Sequence, residues 1–261
     1  MTLQTGTDFS TLPGVNYPVT ACDIDTLDAA ESLVFWIGGI PKIRKANQTT
    51  DDYAVELTGF SRDQNNPLLP EYDPNSAGGG TAGVDYQSNR TETLFQFDPK
   101  RLVDSDKDGW PEYVPDFGGT NDETPPYVYF DSGSYGVLPR YPDNNHPVAD
   151  WGFALPYLIR YTPNSADTKQ YPLASNFANA DSFQIICAGA DNKFGQVPTS
   201  IATLTKAFRR LVVYPRGEYY ERKNGSNPPI SSDWKSIDGE EYDNLTNFTE
   251  SKLETEFGTS N

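Results

Sequence analysis

Apolar residues recur at helical spacing in one stretch of this chain. Leu27, Ala30, Leu33, Val34 and Ile37 follow an i, i+3, i+4 rhythm that places them on one buried helix face. Asp25 or Thr26 can cap the start, Asp28 and Glu31 complement the helix dipole in the first turns, and Gly38-Gly39 stops it. Elsewhere the apolar runs are short and strand-like, at residues 94–97, 127–130, 183–188 and 210–214. The run 183–188 is the strongest and predicts a central strand, which ends in a turn at 189–195 rich in Gly, Asp and Asn. Residues 155–161 contain Pro156 and fit at most an edge or bulged strand. The polar lead-in 1–20, the Gly- and Asn-rich stretch 41–96 with its loop at 76–80, and the polar tail 243–261 show little periodicity.

Composition agrees with this picture. Hydrophobic residues make up only 36%, with 21 Gly, 21 Pro and 16 Tyr, so a loop-rich, strand-containing domain spanning 1–261 is predicted and long helices are not. A formal charge of −17 excludes nucleic acid as a partner, because phosphate binding needs clustered Lys and Arg, and it disfavours an anionic membrane surface. The acidity suits a compartment outside the cytoplasm that supplies divalent cations. Cys22 and Cys187 lack the spacing of a zinc site or a redox pair; a disulfide between them and a buried thiol at Cys187 both remain open. No stretch reaches the length of a membrane span, and no signal peptide is visible.

The sharpest chemical pattern lies at 104–116. Asp104, Asp106 and Asp108 occupy relative positions 1, 3 and 5 of an acidic loop, Gly109 at position 6 permits a sharp turn, and the Trp110 carbonyl can add an oxygen. Hard oxygen ligands of this kind predict Ca2+. An EF-hand is excluded, since Pro115 stands at position 12, and the nearest acids are Glu112 and Asp116. Pro111 also opposes a helix leaving the loop. The alternative to calcium is a solvated acidic turn, since Asp and Gly are turn residues in any case.

Catalytic patterns are weak by comparison. His146, the single histidine, stands in a turn-like Asp-Asn-Asn-His-Pro segment without a nucleophile partner. The sequence Asp131-Ser132-Gly133-Ser134 imitates half of an aspartic-protease site but has no second copy. Gly78-Gly79-Gly80 is not followed by the Lys-Ser/Thr of a phosphate loop. A glycosidase needs two facing carboxylates, which 37 acids neither identify nor exclude. No catalytic or cofactor-binding residue is assigned, and a non-enzymatic role is expected. Trp36, Trp110, Trp151 and Trp234 with the many Tyr leave a second class open, a calcium-stabilised extracellular carbohydrate-binding or adhesive module.

Several separated segments resemble the pseudopilins of bacterial type II secretion, a prepilin-type family, in a loop-expanded version. They are residues 30–39 with Gly59-Phe60-Ser61, residues 95–98 running into 102–113, residues 183–195, and Asp243-Asn244-Leu245-Thr246-Asn247-Phe248. The strand with its Gly-Ala-Asp-Asn-Lys-Phe-Gly turn is the most specific piece. The resemblance implies an α+β fold in which a long N-terminal helix packs on a small antiparallel β-sheet with long loops. It further implies a structural subunit of a type II secretion pseudopilus or type IV pilus-like filament, with calcium held by C-terminal loops. Asp191 and Asp243 would be the family-type ligands, beside Asp104, Asp106 and Asp108. Implied partners are other pseudopilin or pilin subunits and the inner-membrane secretion platform. The location would be the bacterial cell envelope, on the periplasmic side of the inner membrane or in an extracellular filament. Contact with the membrane would run only through an N-terminal apolar helix that this sequence lacks.

Overall fold

The computed structural model describes residues 27–42, 56–69, 71, 87–105, 110–116, 124–137, 141–142, 151–159, 174–195, 210–213, 218–221, 234–236 and 244–247. The chain falls into two compact units, Met1–Asp116 with Thr120–Glu123, and Phe117–Gly119 with Thr124–Asn261. The described residues have a mixed α+β architecture: one α-helix, a two-stranded sheet and two three-stranded sheets, all antiparallel.

The first unit is built around helix α1, Glu31–Gly38. Its start is set by a reciprocal box. Asp28 Oδ1 accepts hydrogen bonds from the Ala30 and Glu31 amides at 2.7 and 2.9 Å, and Glu31 Oε2 accepts one from the Asp28 amide at 2.8 Å. The cap is therefore Asp28, three residues inside the predicted Asp25; Asp25 and Thr26 lie outside the described residues. The helix stops where expected, at Gly39, whose φ of +84° favours glycine and whose amide returns to the Phe35 carbonyl. A Cβ on Gly39 would also stand 2.3 Å from the backbone of Gly59, which bridges it in parallel.

Burial on α1 is wider than the predicted stripe. Leu33 and Val34 are buried as expected, Ile37 is half-buried, and Phe35 is buried at 2% exposure while Trp36 points outward. Phe35 forms edge-to-face pairs with Phe60 and Trp110 at ring separations of 5.2 and 5.3 Å, and with Ile40 these rings make the unit's core. The helix packs on β2 (Glu112–Tyr113), which pairs with β1 (Leu102–Val103) in the register Leu102↔Tyr113 and Val103↔Glu112.

Residues 94–97 correct the sequence reading. They form no strand; the amides of Leu94 and Phe95 both turn to the Ile37 carbonyl at the end of α1. Phe97, half-buried, packs edge-on against Tyr113 at 4.8 Å, whereas Leu94 and Phe95 are exposed, so the apolar run is neither paired nor buried as a strand. The acidic loop joins β1 to β2.

In the second unit, β4 (Phe183–Cys187) is central, as its apolar run predicts, between β3 (Val128–Asp131) and β8 (Leu245–Thr246). Val128 faces Ile186 and Phe130 faces Gln184, and all four are buried, whereas Tyr129 and Asp131 turn outward. Residues 155–159 lie against this sheet without joining it as a strand; Leu158 makes only an isolated bridge to Phe177. A further sheet orders β5 (Arg210–Val213), β6 (Glu218–Glu221) and β7 (Trp234–Ser236), and β5 agrees with the predicted strand at 210–214.

Candidate metal centre

The β1–β2 hairpin carries the acidic loop at its tip. Asp104 leaves β1 half-buried, and Glu112 in β2 is 1% exposed and accepts a hydrogen bond from Ser105 Oγ. Pairing of Val103 with Glu112 brings the two ends of the loop together. Trp110 anchors one of them, since its ring sits in the Phe35 core. Asp116, three residues past β2, is exposed. Asp106 and Asp108, the acids at the middle of the pattern, lie outside the described residues, as does Asp243. Among the described residues no three His, Cys, Asp or Glu side chains gather as a metal cage.

The second candidate lies at the turn after β4. Gly189 has φ +73° and Asn192 φ +59°, left-handed conformations that suit Gly and Asn, and Asp191 Oδ1 accepts the Lys193 amide at 2.8 Å in an Asx turn. Asp191 itself is exposed. The turn is tied down at its far end. The Phe194 amide donates to the Trp151 carbonyl at 2.7 Å, and Gly195 lies so near Gly152 that a Cβ there would meet its carbonyl oxygen at 1.8 Å.

Two asparagines, Asn192 on this turn and Asn244 just before β8, are not singled out by the sequence pattern. Asn244 is fully buried; its Nδ2 donates to the Phe194 carbonyl at 3.1 Å and lies 2.9 Å from the Tyr157 hydroxyl. Its Oδ1, like Asn192 Oδ1 on the turn, is a buried oxygen that accepts no hydrogen bond. Amide oxygens in this state suit a hard cation, which takes carbonyl as readily as carboxylate oxygen. The available signal was position: Asn192 and Asn244 each neighbour a predicted ligand, Asp191 and Asp243.

Gln184 completes the frame behind the turn. Buried in the middle of β4, it accepts the Tyr157 amide at 2.8 Å through Oε1 and donates to the Tyr157 and Ala178 carbonyls at 3.0 and 2.9 Å through Nε2. Its amide holds residue 157 against β4, while the Tyr157 carbonyl also accepts the Ala178 amide at 2.9 Å. Nearby Tyr135 is buried, which pushes its hydroxyl well above the usual phenol range, reinforced by Asp131. Asp131 is accounted for by local turns: its Oδ1 accepts the Gly133 amide at 2.7 Å and its carbonyl accepts Ser134 Oγ at 2.6 Å. His146 lies outside the described residues.

In the first unit the basic residue Arg90 is the unforeseen element. Its guanidinium donates to the carbonyls of Thr58 at 3.0 Å, Gly59 at 2.7 Å and Leu69, and burial lowers its pKa from the ordinary arginine value. It fastens loops that carry almost no regular structure.

Comparison of the chain with protein-family models, characterised proteins and solved structures gives no match. No helix among the described residues is long and apolar enough to cross a membrane.

Proposed function

We propose that this chain is the soluble domain of a pseudopilin-type filament subunit, a structural and non-enzymatic component whose acidic loops bind calcium. One observation carries the reading. The segment with the most specific resemblance, 183–195, and the resembling segment 243–248 are about fifty residues apart in sequence yet meet in the fold: β8 pairs with β4, and Asn244 reaches the Phe194 carbonyl. The meeting point holds the buried oxygens of Asn192 and Asn244, with Asp191 on the same turn. In this reading neighbouring pilin-like subunits and an inner-membrane secretion platform are the partners. An apolar helix N-terminal to Met1 supplies the anchor, and the domain stands on the periplasmic side of the inner membrane or in an extracellular filament.

Thermal unfolding with millimolar Ca2+ and with chelator tests the metal half of the proposal. Calcium that binds the native state alone raises the melting temperature. The shift should shrink in Asp106→Ala if the hairpin loop binds the ion, and in Asp191→Ala if the β4 turn does; equal melting curves with and without calcium would remove both. Mass spectrometry of the native protein from its own cell envelope tests the filament half. A processed, N-methylated apolar helix of roughly 20 residues ahead of Met1 supports it, and a native chain beginning at Met1 overturns it.

A further inference from the structure

We propose that residues 244–247 are a strap on the edge of β4 whose closure is controlled by a hard cation at Asn244. This inference rests on the calcium reading above and assigns that site a regulatory role. The strap owes little to apolar burial. Leu245 is 37% exposed, and β8 is only two residues long, pairing Thr246 with Ile186 and Leu245 with Cys187. Asn247 adds side-chain and backbone bonds to the two ladder pairs. Asn247 Oδ1 accepts the Ile185 amide at 2.9 Å, its Nδ2 donates to the Phe183 carbonyl at 3.3 Å, and its own amide donates to the Ile185 carbonyl at 3.2 Å.

At the other end of the strap the geometry is one-sided. The Phe194 carbonyl can only accept, so it fixes which end of the Asn244 amide faces it, and Oδ1 is left on the opposite side. Water serves that oxygen when the strap is open. Closure buries it with no hydrogen bond, a cost comparable with the net gain from the bonds that closure makes. A cation that touches Oδ1 only in the closed form removes this cost and draws the equilibrium toward closure. The buried Oδ1 of Asn192, two residues from Phe194, offers a second hard oxygen on the same turn. When the strap opens, Ile185 and Cys187 lie on a bare sheet edge, the surface to which an extended segment of another chain can add.

Cys187, 1% exposed and paired with Leu245, reports closure. In the full chain carrying Cys22→Ser, Cys187 is the remaining thiol after reduction. Its rate of alkylation would be measured in Ca2+ and in chelator, with hydrogen exchange at the Ile185 amide and the melting temperature recorded on the same samples. Calcium should slow both labelling and exchange by about tenfold, the shift expected when a ligand at roughly ten times its Kd binds one side of an equilibrium. Asn244→Ala should lose the calcium dependence. Asn247→Ala, away from the cation, should speed labelling in both buffers and keep their ratio. If Ca2+ raises the melting temperature but leaves labelling and exchange unchanged, the strap is independent of the ion and this inference falls while the calcium reading stands. If Ca2+ changes none of the three, both fall.

Discussion

The unit around α1 and the unit around β4 both fasten long connections to little regular structure, and they do so with different chemistry. Around α1 the centre is a set of rings, Phe35 against Phe60 and Trp110, and Arg90 gathers loops by donating to the carbonyls of Thr58, Gly59, Leu69 and Gln87. Around β4 the centre contains neutral amides: Gln184 pairs with the backbone of residue 157, and Asn244 and Asn247 hold the last strand. The hydrophobic burial of rings is non-directional and draws on buried area. Amide bonds are directional, so they specify register, and any acceptor they leave unmet creates a place where a ligand can add stability.

The largest expected effect tests the first half of the comparison. Phe35→Ala deletes the ring at the centre of the α1 core and should cost about 3–5 kcal/mol, read from urea unfolding. A loss below about 1 kcal/mol would mean that rings do not carry that unit. Gln184→Met keeps the volume of the buried side chain but strands the amide of Tyr157, whose carbonyl keeps the Ala178 amide. It should cost about 1–3 kcal/mol, the penalty of one unmet buried group. If Gln184→Met were neutral, the second unit would be held by apolar area like the first.

Arg90→Lys separates charge from geometry in the first unit. A lysine ammonium cannot reproduce the planar fork that reaches the carbonyls of Thr58, Gly59 and Leu69, so a loss of about 2 kcal/mol is expected, with faster hydrogen exchange at Thr91, whose amide bonds Phe60. Full retention of stability and exchange rates by lysine would show that positive charge alone suffices.

The smallest effect is a pH dependence. Burial raises the pKa of Tyr135, so its neutral form is favoured by the fold. That contribution is complete below the phenol pKa of about 10 in the unfolded chain and declines as pH rises above it toward the folded value, because the unfolded chain then holds fewer protons. Denaturant midpoints measured through that range should fall less steeply in Tyr135→Phe than in the parent protein. Parallel curves would show that Tyr135 does not contribute.

Much of this organisation was legible in the residues. The helix at 31–38 and its glycine stop follow from a 3.6-residue apolar period meeting two glycines, and the central strand from an apolar run bounded by turn residues. The cap was placed too early because Asp25, Thr26 and Asp28 are all competent caps, and only the reciprocal bonds between Asp28 and Glu31 choose among them. Residues 94–97 read as a strand because a short apolar run is a strand signal, yet in the fold Leu94 and Phe95 stay exposed and spend their amides on the end of α1. Asn192 and Asn244 escaped notice because neutral amides are ordinary turn residues in sequence and become distinctive only once buried.

Local chemistry along the chain thus determined α1, β4, the left-handed turn after it and the acidic rhythm at 104–108, because each depends on interactions within a few residues. Tertiary structure alone decided that Arg90 would collect carbonyls from Thr58, Gly59 and Leu69, that Gln184 would hold Tyr157 against β4, and that Asn244 would be buried beside Phe194. The physical reason is the same in each case. A side-chain amide or guanidinium can bind any carbonyl it meets, so its partner is set by where distant backbone is brought, and no spacing in the sequence records that distance.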